Sequence, residues 1–338
     1  MKNKITIAFL ILFTLIHAFI GMWWMCALSL FALGAYYMAT SKNKFMVALR
    51  RKSLLIYPLS LTGVFLLAIV LRVLIFGFFV VPTNSMERTI LPGDVIWVNK
   101  TLIGPRLPSS PIEIPWLGVL YWMLKEDRTN LSEGWFDYCR LKGYSSITHQ
   151  DILVFEHPYV DLVLVKRCMG CPGDTLQIAN SNVLINSGLT TEAATLSKSF
   201  DNHFDNRNGF NPEELFPHDS ASTWTPDNFG PFILPYKGLT ISLNNENFLL
   251  YHEIIEDLEN SEIVMTDTNN YTVNGSDRKE YTFENNYYFL MGDNRNFSHD
   301  SRFFGPVPES LIIGKATTIL FSSNKQTTWR QRFLKKLQ

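Results

Sequence analysis

Three short stretches hold side chains that could do chemistry. In VPTNSMERTILPGDVIWVNK, residues 81–100, Ser85 lies between a Pro-Thr-Asn turn and a second turn at Pro92-Gly93-Asp94. Pro82 and Asn84 favour an irregular backbone there, leaving Ser85 and Met86 on a short rim. A serine in such a place is ordinarily a turn former; the chemical alternative is a nucleophile. Lys166 closes the apolar run DLVLV and is followed by Arg167. A lysine at a strand end is ordinarily a solvated edge residue. Embedded among apolar side chains, it would instead have a depressed pKa and a neutral fraction able to take a serine's proton without histidine. Spacing alone does not join the two. The third stretch, MGDNRNFSHDSRFFGPVP (291–308), reads as a turn-rich hairpin held by Asp-Arg pairs or as part of a site. Its SHDS invites a Ser-His-Asp reading, but His299 and Asp300 are adjacent and on a strand would face opposite ways.

The elements that must position these groups begin with an apolar N-terminus. The chain has 338 residues, 46% apolar and 14% aromatic, with a net charge of −1. That near-neutral balance offers no broad basic surface, so nucleic acid is not an expected partner. Residues 5–40 contain no Asp, Glu, Lys or Arg. As one helix they would run roughly 50 Å against ~30 Å of hydrocarbon, so two spans, about 5–20 and 22–40, fit better. The loop 41–53 carries Lys42, Lys44, Arg50, Arg51 and Lys52 and no acid, which places it in the cytoplasm. A third span, about 54–71, then leads out, with Arg72 at the far interface. No A-x-A site with a polar sequel follows the first segment, so it reads as an anchor and not a cleaved leader. Residues 1–81 are thus a membrane anchor and 82–338 an extracytoplasmic domain.

That domain reads as mainly β. Runs at 95–100, 151–158, 161–170, 175–180, 238–243 and 287–294 are short, apolar and bounded by turn residues. Helical spacing is clearest over 247–260, where Leu250, Ile254 and Leu258 share a face. Residues 181–237 are rich in Asn, Asp, Ser, Thr and Pro, which suggests an insertion or cap more than core strands, extending to about 283. The tail WRQRFLKKLQ has Trp329 and Phe333 in helical spacing, as a solvated helix or a membrane-surface contact. Of four cysteines, Cys26, Cys139, Cys168 and Cys171, the last two have C-x-x-C spacing. They close a strand and enter a Pro-Gly-Asp turn, unlike a redox pair at a helix N-terminus, and no nearby Cys or His completes a zinc set. Packing is their expected role.

Taken together the motifs resemble those of bacterial type I signal peptidases, membrane-anchored serine proteases with a Ser-Lys dyad. PTNSMERTILPGDVIWVNK is similar to the family's P-S-x-S-M-x-P-T-L-x-x-G-D-x-x-x-V-x-K. QDILVFEHP resembles G-D-I-V-V-F-x-x-P, and LVKRCMGCPGDTL resembles Y-x-K-R-x-x-G-x-P-G-D. GDNRNFSHDSRFFGPV resembles G-D-N-R-D-N-S-x-D-S-R-x-x-G-x-V, and IGPRLPSSPIEIPW (103–116) resembles an element of a longer-inserted branch.

The resemblance implies a mainly β catalytic domain of antiparallel sheets behind N-terminal transmembrane α-helices. It implies Ser85 as nucleophile and Lys166 as general base, with Thr83 helping the Ser85 amide bind the oxyanion and Ser298 orienting the amine. It groups Arg167, Asp300 and Arg302 as an ion-pair set shaping the site, with Asp293 and Arg295 structural. Phe79, Val81, Met86, Ile90, Val154, Leu164 and Val165 would line shallow pockets for small residues at −3 and −1 of an Ala-x-Ala peptide bound as an added strand. Arg88, Ile90, Gln150 and Leu164 depart from the family's usual Pro, Leu, Gly and aromatic residue, which bears on specificity and removes no chemical group.

The expected activity is removal of signal peptides from exported precursors at a bacterial inner membrane, with the lipid bilayer as the other partner and no metal or cofactor. The alternative is an inactive membrane-anchored scaffold, disfavoured because Ser85, Lys166 and Ser298 are all present. A self-cleaving repressor of the Ser-Lys class would need a helix-turn-helix, for which the apolar N-terminus is unsuited.

Overall fold

The computed structural model describes residues 7, 8, 10–12, 14, 15, 29, 30, 33, 34, 36, 40, 53–110, 113–114, 136–189, 214–218, 223–267, 270–324 and 327–337. Cys26 and all but the last residue of the expected cytoplasmic loop 41–53 lie outside them, as do 190–213 and 219–222 of the expected cap. Two compact units are present: Met1–Phe78 with Leu107–Cys139, and Phe79–Arg106 with Arg140–Gln338.

In the first unit the described residues between 7 and 15 and between 29 and 40 are helical. Thr14 Oγ1 and Ser29 Oγ lie 2.7 Å apart, so the two parts of the first apolar run meet through a hydrogen bond. Helix α1 (Ser53–Leu74) has Arg72 in its last turn. Its side chains are described from Ser60 onward, and among residues described to that level no helix is long and apolar enough to cross a membrane.

Strand β1 (Phe76–Val80) crosses into the second unit. There β2 (Asp94–Asn99) is followed by the antiparallel hairpin of β3 (Ile152–Glu156) and β4 (Val163–Gly170). The hairpin's register sets Ile152 opposite Arg167 and Leu153 opposite Lys166. Next come β5 (Thr175–Ala179), β6 (Asn182–Ile185), β7 (Gly188–Leu189) and β8 (Phe229–Ile233), a second sheet in the order β7-β6-β5-β8. Strand β9 (Thr240–Ser242) leads to helix α2 (Asn245–Glu253), capped by the Asn244 side chain accepting from Asn247 N–H. The meander β10 (Ile263–Asp267), β11 (Asn270–Val273) and β12 (Ser276–Arg278) precedes β13 (Glu280–Thr282), which pairs with β9. The chain then returns to the main sheet through β14 (Tyr287–Met291), α3 (Ser301–Phe304), β15 (Val307–Pro308) and β16 (Ile312–Ser322). It ends in α4 (Trp329–Arg332) and β17 (Lys335–Lys336). The main sheet runs β2-β16-β3-β4-β14-β15, with β17 on β16.

All six expected strands form, and the expected helix forms with a change of pitch. After Glu253 it widens into a π-helical turn, Ile254–Leu258, while Leu250, Ile254 and Leu258 still pack on one cluster. The longest strand, β16, was not expected: Gly314, Lys315, Thr317 and Thr318 break up its apolar signal. It lies between β2 and β3 nonetheless, because antiparallel pairing on both sides satisfies its backbone.

Two stretches carry more structure than their composition suggests. The stretch 181–237 contributes core strands as well as surface, since Val183, Leu215, Phe216, Phe229, Phe232 and Leu234 are buried in the largest apolar cluster. Its polar residues fill the turns between them. The C-terminal tail is neither a continuous helix nor free: Arg332, buried, forms an ion pair with fully buried Asp94, and Leu337 packs on the cluster beneath β2 and β16. The helix stops at Arg332, Leu334 takes φ +52°, and Lys335–Lys336 then pair with β16.

Candidate active site

Ser85 sits in a tight run of turns that its neighbours hold from two directions. Glu87 N–H donates to Asn84 O at 3.0 Å and Ile90 N–H to Met86 O at 2.8 Å, closing the turns behind it. From the β14 side, Asn294 N–H donates to Ser85 O at 3.0 Å and Asn294 Nδ2 to Asn84 O at 3.1 Å. Gly292 makes that approach feasible. A Cβ there would stand 2.6 Å from Ser85 O and closer still to Ser298 Oγ.

Lys166 reaches the serine from β4. Its Nζ donates to Ser85 Oγ at 2.7 Å, and both residues are buried, Ser85 6% and Lys166 3% exposed. Burial pushes the amine's pKa down to about 8, a fall that Asp300 opposes, Arg302 reinforces and Asp293 opposes. Once the amine is neutral, the same separation lets the hydroxyl donate to the nitrogen, which is the geometry of a general base on its nucleophile. Thr83 Oγ1 lies 3.3 Å from Ser85 Oγ. Ser298 is buried beside Gly292, and its hydroxyl has no hydrogen bond among the described residues.

Two buried ion pairs frame the pair. Arg167 forks onto Asp293, Nε to Oδ1 and Nη2 to Oδ2 at 2.8 Å each, and Thr89 Oγ1 donates to Asp293 Oδ2 at 2.6 Å. Arg302 forks onto Asp300 at 2.9 and 3.0 Å, and Gly292 N–H donates to Asp300 Oδ2 at 3.1 Å. Burial alone would raise the Asp300 carboxyl, but Arg302's charge and hydrogen bond, with Lys166 and the Gly292 amide, hold it below the usual carboxylate value. The expected grouping of Arg167 with Asp300 and Arg302 thus resolves into separate forks. Asp293, read as structural, is Arg167's carboxylate, and Arg302 Nη2 also donates to Arg295 O at 2.7 Å.

Six of the seven expected wall residues meet. Val81, Met86, Ile90, Val154 and Val165 are buried in one cluster, with Phe79 packed against it. Leu164 goes elsewhere, packing with Leu153, Phe155 and Cys168. Adjacent residues on a strand face opposite sides, so Leu164 shares the Lys166 face of β4 and Val165 lies on the other. His299 stacks on Phe303 at 5.1 Å between ring centres, and on His157 at 6.3 Å. Burial lowers its pKa.

Gln150, where the family commonly has Gly, adopts φ +76°. Its N–H donates to Cys168 O and its carbonyl accepts from Arg167 Nη1 at 2.9 Å, so the strained residue supports the strand carrying Lys166. Glycine carries no Cβ penalty in this region. Gln150→Gly is expected to stabilise the chain by about 1 kcal/mol, a rise in denaturation midpoint absent from Gln150→Ala. A fall in midpoint for the glycine variant would contradict a strained Gln150.

Sequence reasoning missed Gly292, Thr89 and the neighbourhood of the two thiols. Gly292 had a visible signal, a glycine between an apolar strand and an Asp-Asn turn. His149 and Asp174 had none, because they reach Cys171 only through the fold: ligand atoms of all three lie within 4.8 Å of one another.

Residues 54–321 match the family described as signal peptidase, peptidase S26. Among curated relatives, the signal peptidase I of Buchnera aphidicola subsp. Schizaphis graminum is 28% identical over 80% of this chain and 76% of its own length. That of Rickettsia typhi is 28% identical over 80% of this chain and 81% of its own, and that of Pseudomonas aeruginosa 24% over 81% and 75%. A solved signal peptidase I from Enterococcus faecalis V583 aligns with 51% of this chain and 98% of its own at 20% identity and a TM-score of 0.24. With the family match extending from α1 to the end of β16, the chain belongs to the signal peptidase family, peptidase S26.

Proposed function

We propose that this chain is a signal peptidase I: a serine endopeptidase that removes N-terminal signal peptides from exported precursors after small residues at −3 and −1. The observation that carries this reading is the buried Lys166 amine 2.7 Å from Ser85 Oγ. Neutral Lys166 takes the Ser85 proton as Oγ attacks the scissile carbonyl. The oxyanion is received by the Ser85 amide and the Thr83 hydroxyl, and the lysine then passes its proton to the departing amine. Water, activated by the same amine, hydrolyses the acyl-enzyme. The Ser298 hydroxyl, unpartnered among the described residues, is the group left available to orient Lys166 during turnover, while the two Arg-Asp forks stiffen the segments bearing the site. Small apolar side chains of the substrate enter between Phe79, Val81, Met86, Ile90, Val154 and Val165, with Leu164 on the Lys166 face of β4.

The anchor reading belongs to the same proposal. Spans at about 5–20, 22–40 and 54–71, with the basic loop 41–53 in the cytoplasm, place residues 82–338 outside the inner membrane of a bacterium. The apolar run 73–81 then leads from the last span to Ser85 with no polar spacer, so the nucleophile works where a precursor leaves the bilayer. An inactive scaffold gains nothing from a lysine buried against a serine at the cost of desolvating the amine.

The test is cleavage of a synthetic precursor peptide by the purified chain in detergent. Cutting after Ala-x-Ala, lost in Ser85→Ala with the fold unchanged by circular dichroism, is expected. An inert wild-type chain, or an active Ser85→Ala, would sink the assignment. In vesicles of known orientation, added protease should reach the 41–53 loop and the Ser85 domain from opposite faces; access to both from one face refutes the topology.

A further inference from the structure

The strand bearing Lys166 runs on into Cys168-Met-Gly-Cys171-Pro-Gly-Asp174, and the fold brings His149 to it from the loop before β3. His149 Nε2 lies 2.7 Å from Asp174 Oδ2, and these atoms with Cys171 Sγ form a group no wider than 4.8 Å. Cys168 Sγ is 3.9 Å from Cys171 Sγ. Two sulfurs on one tetrahedral zinc, each bonded at about 2.3 Å, stand about 3.8 Å apart.

We propose that His149, Cys171 and Asp174, whose ligand atoms already converge, form a structural zinc site that the Cys168 thiol, outside that group but beside Cys171 Sγ, completes by turning inward. The donor set decides the metal. Two thiols and an imidazole suit Zn²⁺, whereas Ca²⁺ and Mg²⁺ take oxygen ligands almost throughout. With Cys168 turned in as the fourth donor beside the three that converge, no position stays open, as in a structural and not a hydrolytic site. The outer bonds are also in place. Asp174 Oδ1 accepts from Asn186 Nδ2 at 3.0 Å, which orients the carboxylate with Oδ2 toward His149 and Cys171. Oδ2 also accepts from Cys171 N–H at 2.7 Å. The site would tie the loop before β3, the end of β4 and the turn into β5 to a single ion, fixing the strand from which Lys166 projects. The competing fate of the thiols is a Cys168–Cys171 bridge, which excludes zinc. Both thiols are free in this structure.

The inference does not rest on the peptidase reading, and its test reads metal instead of cleavage. The full chain, reduced and kept anaerobic in detergent, is dialysed against Zn²⁺ and assayed for bound metal, then titrated with Co²⁺. One zinc per chain, a near-ultraviolet thiolate-to-cobalt band and protection of both thiols from alkylation are expected. His149 is exposed, so His149→Ala should fold and weaken zinc binding about tenfold or more; Cys171→Ser should remove the cobalt band or shrink it markedly. Absence of the band with both thiols reactive would overturn the site, as would zinc held equally well by wild type and both variants. An intact mass lighter by the two thiol hydrogens, with no metal uptake after reduction, would establish the bridge in its place.

Discussion

Lys166→Ala is expected to lower peptide cleavage by about four orders of magnitude or more while leaving the domain folded. Ser85 does not attack a peptide carbonyl unaided, and the amine at 2.7 Å is the base positioned to take its proton. The residual rate would come from binding and oxyanion contacts, which the substitution leaves in place. Lys166→Arg should not rescue it, because a guanidinium stays protonated at any working pH. His299→Ala should cost little, its ring being engaged with Phe303 and His157. The pH profile carries the same prediction. The active form is the neutral amine, so kcat/KM should fall as pH drops through the lysine's depressed pKa, about 8. A limb near ~6.5, the ordinary histidine value, would point to an imidazole, and one near ~10.4 to an exposed lysine. A Lys166→Ala enzyme that keeps its rate while His299→Ala is dead refutes the dyad.

Asp300→Ala should destabilise the fold by about 3–5 kcal/mol, read as a lowered urea midpoint. The carboxylate is fully buried and serves three groups: it receives the Arg302 fork, accepts from Gly292 N–H and caps α3 by accepting from Arg302 N–H. Its removal leaves Arg302, itself 2% exposed, as an uncompensated buried charge. Asp300→Ala with Arg302→Met should therefore recover much of the loss, since apolar replacement of both partners avoids the stranded charge. The single variant has a second expected consequence wherever it remains folded. Asp300 raises the Lys166 pKa, so the acid limb should move to lower pH without it. Equal stability of Asp300→Ala and wild type would show that the pair is solvated and not a structural clasp.

Much of the main sheet was legible because its strands carry their burial locally. Apolar runs at 95–100, 151–158 and 161–170 end at turn residues, and β2, β3 and β4 coincide with them to within a residue or two at their starts. Strand β16 escaped because its pairing partners, and not its own composition, bury it. The strands within residues 181–237 were hidden for a related reason: their polar turns dominate the composition, while a few aromatics such as Phe229 and Phe232 do the packing. The tail misled through Arg332, whose buried carboxylate lies far away in sequence at Asp94.

The site divides along the same line. By itself the sequence determined which groups are available: a serine in a rigid turn, a lysine on an apolar strand, a hydroxyl at Ser298, and acids and arginines to frame them. It also determined their order behind an apolar N-terminus, which was enough to recognise the family. Only the tertiary structure decided that Lys166 meets Ser85, because that contact depends on the β3–β4 register and on Gly292 admitting the β14 segment beside the serine. It decided that Arg167 belongs to Asp293, that Leu164 turns away from Val165, and that His149 and Asp174 stand by the thiols. Periodicity records what a segment buries against its own core, within a few residues. Contacts between distant segments, and the desolvation that depresses the lysine pKa, exist only once the strands are paired.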